Sequence, residues 1–344
     1  MSDRKRPEDP KRPEDIVPIP AAQGMDPGTL QNIDKLSIEE DLDGKTDKSY
    51  SQGQLVLRRF LRHRGAMVSL TVLALITVLA YSSIGWGPFP GWWKHSYTLA
   101  GTVIDGGRPT LSIWPVQIGE HPFGQDNAGK DFFALVMRGT QRSLIIAFVV
   151  GIVSTVLGTA IGAAAGYFRG WVEAVLMRLT DLLIVIPLLV LAAVLGQMSG
   201  TIWTLALMLG IVTWTGLARL VRGEVLSLRE REFVAAARAV GTSPWRIIVK
   251  HILPNTLGTI IVSATLAIAA AILLETSLSF LGFGVKPPDT SLGVLISTYQ
   301  SSFNSRPWLF WWPGLFILGI ALSVNFIGDG LRDAFDPRQN RNKD

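Results

Sequence analysis

Asp181 and Glu275 are the carboxylates that stand closest to long apolar runs, where an acid is expensive and often functional. Asp181 follows Arg178 by three positions, so an i,i+3 ion pair at a membrane interface is the simpler account of it. Glu275 has no base near it in sequence. It faces a water-filled pathway, or it sits close to an outer interface and bonds to the loop that follows. Neither spacing suggests paired acid–base chemistry. His63, His95, His121 and His251 are scattered without the spacing of metal ligands. Cys is absent from all 344 residues, which removes thiolate nucleophiles, thiolate ligands and disulfides together. No G-x-x-x-x-G-K-S/T run occurs, so the chain is expected to hold no nucleotide of its own. The residue types that do chemistry therefore predict neither an enzyme nor a metal or cofactor site in this chain.

The elements that position these groups are dictated by lipid. Hydrophobic residues make up 48% of the chain and charged residues only 17%, less charge than a soluble domain of this size usually carries. Residues 1–57 hold twelve acids against eight bases and few aromatics, which predicts a disordered arm and places the basic surplus downstream. A basic excess beside apolar runs points to cytoplasmic membrane loops rather than to nucleic acid. The first apolar run begins too late, after a hydrophilic arm, to be a signal peptide.

Six spans are expected. The first, Ala66 to Trp86, has no charge over about 21 residues, enough to cross about 30 Å of hydrocarbon. The second is Ser143 to Phe168. The third opens on the half-polar turn from Glu173 to Asp181, which it needs in order to reach across, and continues from Leu182; no charge occurs between Leu182 and Ala218, and the turn at Gly196 to Gly200 divides the third span from the fourth. The fifth covers Thr256 to Leu274 and continues to Phe283. The sixth is Pro307 to Ile327, opened by Trp308, Trp311 and Trp312 as an interfacial belt. Arg58, Arg59, Arg62 and Arg64 before the first span place the amino terminus in the cytoplasm. Alternation then puts the base-rich Arg219 to His251 connection and the carboxyl tail there too. The organisation reads as an arm over 1–57, a first span and outer loop over 58–138, a five-helix core over 139–332 and a tail over 333–344. Gly158, Gly162 and Gly166 form a small-residue ridge suited to close helix packing.

The segment from Glu232 to Asn255 is too short to cross a bilayer and too apolar to float free. Ser227 and Glu230 have capping-box spacing, which predicts a helix from about Leu228 with Phe233, Ala236, Ala237 and Val240 on one face. Gly241 ends that helix in the left-handed region. Ser243 and Pro244 start a second one, which runs to Pro254, so the helical pair occupies 227–253. Such an element either lies on the membrane surface as a connector or docks into a partner's groove.

The stretch "AAARAVG", with eleven residues between Gly241 and "LP" at Leu253 and Pro254, resembles the EAA loop of binding-protein-dependent ABC importer permeases. Ala236, Ala237, Gly241, Leu253 and Pro254 match the pattern, and Ala235 stands where the family often has its glutamate. The stretches "HPFGQDNAGKD", "GTQRSL" and "ETSLSFLGFGVKPPDTSLG" resemble the C-type permease subunits of dipeptide, oligopeptide and nickel importers. Gln125, Lys130, Asp289, Thr290 and Leu292 depart from that pattern. The likeness covers about Arg58 to Asp336.

The resemblance implies an all-α membrane protein with the type I ABC importer permease fold, in a bacterial cytoplasmic (inner) membrane. It also implies a second related permease, two ATPase subunits that carry ATP and Mg, and an extracytoplasmic binding protein delivering to loops that include Glu120 to Asp131 and Lys286 to Arg306. Short peptides are the implied cargo, with nickel complexes or other small solutes as the alternative. By the same likeness the helix from Ala235 to Gly241 couples the ATPase to the spans; Phe233 is placed on its apolar face by spacing, and Glu232 and Arg238 are read as polar contacts in place of the glutamate that Ala235 replaces. A self-contained secondary transporter would instead show internal repeats and broken spans around midplane ions. No such repeat is seen.

Overall fold

The computed structural model describes residues 52–114 and 116–335. The expected arm lies outside it up to residue 51, as does the expected tail from residue 336. Residues 52–57, counted with the arm on composition, instead open helix α1, Gln52–Arg62.

Helix α2, Arg64–Ile84, follows at once. His63 caps it, its Nδ1 accepting from the amide of Ala66 at 3.0 Å. Two small antiparallel ribbons punctuate the loop beyond: β1, Gly85–Trp86, with β2, Phe89–Pro90; and β3, Ser112–Ile113, with β4, Val116–Gln117. Helix α3, Phe132–Phe168, is 37 residues long and begins well before the expected Ser143. Asp131 sets that start by accepting from the amide of Ala134 at 2.7 Å. The added turns carry Arg138 and Arg142, whose partner Asp289 lies far away in sequence.

The next two spans are bent. Helices α4, Gly170–Val185, and α5, Leu188–Met198, meet at 88°. The residue before Pro187 is pushed to an extended conformation, and Pro187 offers no N–H to continue a helix. Helices α6, Ile202–Thr213, and α7, Thr215–Arg229, meet at 42° around Trp214. Helix α8 is Glu232–Ala239, and α9, Pro244–Ile247, leads through a π turn at Ile248–Ile252 into α10, Leu253–Phe280. Helix α11, Leu292–Tyr299, and α12, Trp308–Phe335, complete the described chain. Among the described residues, four unbroken helices (α2, α3, the α9–α10 rod and α12) are long and apolar enough to cross a membrane, and counting each bent pair as one span gives six.

The long helix α3 is the central element, packed on α2, α6, α7, α10 and α11. Its ridge lies on α7. A Cβ at Gly158 would come within 2.9 Å of the Trp214 carbonyl oxygen, one at Gly162 within 2.5 Å of that of Ala218, and one at Gly166 within 2.9 Å of that of Arg222. Backbones so close need glycine at the crossing. At the far end of α3, α11 is held by Tyr299, whose hydroxyl donates to Asp126 at 2.9 Å. Burial, and then the neighbouring carboxylate, push that phenol above its ordinary value, so it stays a donor throughout the neutral range.

Candidate functional site

The short helix α8 is fastened to the end of the spans by one edge. Val234 is 0% and Ala237 8% exposed, packed in a cluster with Val221 and Val225 of α7 and Ile247, Ile248 and Ile252 beyond the elbow. The opposite side is bare: Phe233 is 41%, Val240 81% and Trp245 69% exposed, and Glu232, Ala235, Ala236 and Arg238 are exposed as well. The expected face of Phe233, Ala236, Ala237 and Val240 is thus split, with Ala237 turned inward beside Val234 and the other three outward. Periodicity locates an apolar stripe, but only the neighbours α7 and α9 decide which edge of it is covered.

Gly241 has φ of 77°, where a Cβ would clash with its own backbone. The amide of Thr242 donates to the carbonyl of Ala237 at 3.1 Å and that of Gly241 to Arg238 at 2.9 Å, the paired bonds of a Schellman stop. The elbow is therefore fully bonded.

Two sequence expectations are corrected here. Ser227 caps nothing: it lies inside α7, which continues to Arg229, and α8 starts after Arg231 without a side-chain cap. Pro254 does not end the second helix. The amide of Leu253 bonds the carbonyl of Ile248, the π register, and the Asn255 side chain donates to the carbonyl of His251 at 2.7 Å. The register shifts just ahead of the proline, and one helix of 37 residues runs from Pro244 to Phe280 with Leu253 and Pro254 inside it.

Sequence reasoning missed Tyr167, Arg229 and Val234. The guanidinium of Arg229 donates to the Tyr167 carbonyl at 2.6 Å, where the α3 dipole favours a cation. Arg229 and Arg238 each lie 5.7 Å from the Tyr167 ring. Arg238 therefore braces the chain's own fold. The aromatic pair Tyr167 and Phe168 before Arg169 was the available signal.

Glu275 is 0% exposed, enclosed among hydroxyls. Ser143 donates to its Oε2 at 3.1 Å and Ser279 to its Oε1 at 2.7 Å, while Ser279 also meets Ser291 at 3.3 Å. The amide of Leu292 donates to the Ser143 hydroxyl at 3.2 Å. The carboxylate thus ties α10 to α3 and to the start of α11, and in this conformation it opens onto no cavity. Replacing Glu275 by Ala removes the acceptor that two buried hydroxyls share and should lower stability by about 3 kcal/mol, while Gln keeps an acceptor and should lose about half of that. Thermal unfolding in detergent measures both, and equal losses for Ala and Gln would contradict the hydrogen-bonding role.

Asp181 pairs with Arg219 at 2.5 Å, not with Arg178. Helix α7 brings Arg219 and Arg222 alongside α4, where Arg222 binds Glu173, and a tertiary neighbour replaces the expected local one. These residues and Arg178 line an open cavity of about 620 Å³. At the other end of the spans His121 bonds Asp131 at 2.7 Å, and the Trp93 indole donates to the same carboxylate at 2.9 Å. Among the described residues no group of His, Cys, Asp or Glu could hold a metal ion.

The family described as "Binding-protein-dependent transport system inner membrane component" matches residues 158–341, more than half of the chain and all of the α8 region. The chain belongs to that family. A second match, to the N-terminal transmembrane domain of oligopeptide transport permease C, covers residues 51–98 of this permease. Similar proteins include the oligopeptide transport system permease protein OppC of Mycobacterium tuberculosis H37Rv, 42% identical over 290 residues, 83% of the permease and 95% of the relative. The OppC protein of Haemophilus influenzae is 36% identical over 282 residues, 82% and 87% of the two chains. A solved inward-facing structure of the MetNI methionine ABC transporter superposes with a TM-score of 0.50 at 19% identity, covering 59% of the permease and 97% of that chain. That likeness concerns the fold alone. The permease is a membrane subunit of an ABC importer with the type I fold, a family that works with a partner permease, ATPases and a binding protein.

Proposed function

We propose that this permease moves short peptides inward across a bacterial cytoplasmic membrane, with a second related permease, two ATPase subunits below and an extracytoplasmic binding protein above. Both termini are cytoplasmic in this reading, as the arginines of α1 favour. The peptide cargo rests on the similarity to the two OppC proteins. The observation that carries the coupling role is the half-covered helix α8. Val234 and Ala237 anchor it, while Phe233, Ala236, Val240 and Trp245 stand bare beside a bonded elbow. A small apolar face of this kind suits a groove in a partner.

The ATPases bind and hydrolyse ATP in this scheme, and the permease contributes motion. Closure of the ATPase grooves displaces α8. The Schellman elbow and the unbroken helix from Pro244 to Phe280 pass that displacement to the spans as rigid-body rocking. The test is mass spectrometry of a mild-detergent preparation, followed by uptake of labelled tripeptide into proteoliposomes. The expected result is an ATPase and a second permease in the preparation, and uptake only with ATP. Uptake by the chain alone, driven by an ion gradient, overturns the reading.

A further inference from the structure

A cavity of about 510 Å³ opens at the end of the spans opposite α8, between α3, the α5–α6 turn and the loop from Gly284 to Asp289. Its volume lies in the range of small-molecule sites, which is about 300–1,000 Å³. Three cations, Arg138, Arg142 and Lys286, stand at its wall against one carboxylate, Asp289.

The two arginines are spaced i,i+4 on α3 and share Asp289 between them. Arg138 donates from Nε to one carboxylate oxygen at 3.1 Å. Arg142 brings its Nε within 2.7 Å of the other oxygen but off the hydrogen-bonding direction, so this buried donor has no hydrogen-bond partner. The Arg138 guanidinium also lies over the Tyr97 ring at 5.0 Å, which fixes its plane. Lys286 is tethered at the rim, donating to the carbonyl of Gln197 at 2.9 Å. The pair therefore holds more donors, and more positive charge, than Asp289 can satisfy. An arginine fork matches a second carboxylate in shape as well as charge. Beside the arginines, Tyr97, Trp203, Val285 and Pro287 give the cavity an apolar wall.

We propose that this cavity receives the terminal carboxylate of the transported peptide, held by Arg142 and Arg138, with the last side chain against the apolar wall. The proposal rests on the peptide reading above and on its orientation, which puts this cavity on the outer side. Asp289 acts as the resting counter-ion. It keeps the arginines paired when the cavity is empty and competes with the bound carboxylate, so that release remains fast.

The test uses the complete complex, permeases, ATPases and binding protein, in proteoliposomes, with trialanine and trialanine amide as the two probes. The same binding protein serves every preparation, so its own preference cancels when acid-to-amide uptake ratios are compared. Arg142→Gln should lower the ratio about tenfold relative to wild type. Asp289→Asn frees both arginines and should raise it about threefold, and it carries the test alone if Arg142→Gln does not assemble. A wild-type complex that takes up neither probe overturns the peptide reading and this inference with it. A complex that takes up both, with a ratio unmoved by Arg142→Gln, or by Asp289→Asn where only that variant assembles, overturns the carboxylate site and leaves the peptide reading standing.

Discussion

Gly162→Leu should sharply lower the yield of folded permease in the membrane. Even the first carbon of a side chain at this position would lie 2.5 Å from the Ala218 carbonyl oxygen, 2.9 Å from Val221 Cβ and 3.1 Å from the Arg222 amide nitrogen. Two of these are backbone atoms of α7 and cannot swing aside. Gly158, Gly162 and Gly166 bring the two backbones together along the same crossing, so the α3–α7 contact depends on close packing. Overpacking costs about 1–3 kcal/mol where a core can adjust, and the upper end is expected where backbone must separate. The loss also reaches the anchor of α8, because Val221 and Val225 belong to the cluster that buries Val234. Size-exclusion profiles of a fluorescent fusion in detergent report the yield. Gly223→Ala is the matched control, since a Cβ there meets nothing within 4 Å. Equal yields from the two variants would contradict the packing account.

Ala236→Asp is expected to do the opposite: preserve the fold and weaken the grip of the ATPase. Ala236 is exposed, so an aspartate there is solvated in the isolated permease and costs little. In a groove it must be desolvated without a partner, at about 2 kcal/mol, or roughly thirtyfold in affinity. Pull-down of the ATPase should fall accordingly, while the thermal stability of the permease stays within about 0.5 kcal/mol of wild type. Val234→Asp provides the contrast, because that side chain is wholly buried and its loss should appear first as instability. Full ATPase attachment with Ala236→Asp would sink the coupling role of α8.

The spans were legible because lipid demands long uncharged runs, and residues such as Ala66 to Trp86 can do little else. The family was legible from Ala236, Ala237, Gly241 and the Leu253–Pro254 pair. What stayed hidden depended on partners distant in sequence. Helix α3 was placed too late because Arg138 looks like a loop residue until Asp289 is beside it. Asp181 meets Arg219 rather than Arg178, and Arg219 arrives only when α4 and α7 lie together. Ser227 and Pro254 failed for another reason: local rules describe what a residue prefers, and both sit within helices that neighbouring turns sustain. Residues 52–57 were assigned to the arm on composition, which does not register the one-sided apolar pattern of a short helix.

The π turn before Pro254 has a temporal consequence. With it, the rod from Pro244 to Phe280 is about 55 Å long and carries both Trp245 near one tip and Glu275 near the other. A tilt of about 5° about its middle shifts each tip by roughly 2 Å, in opposite directions and at the same instant. If α8 is the coupling helix proposed above, this stiffness would synchronise events on the two sides of the membrane, with no relay between them to introduce delay.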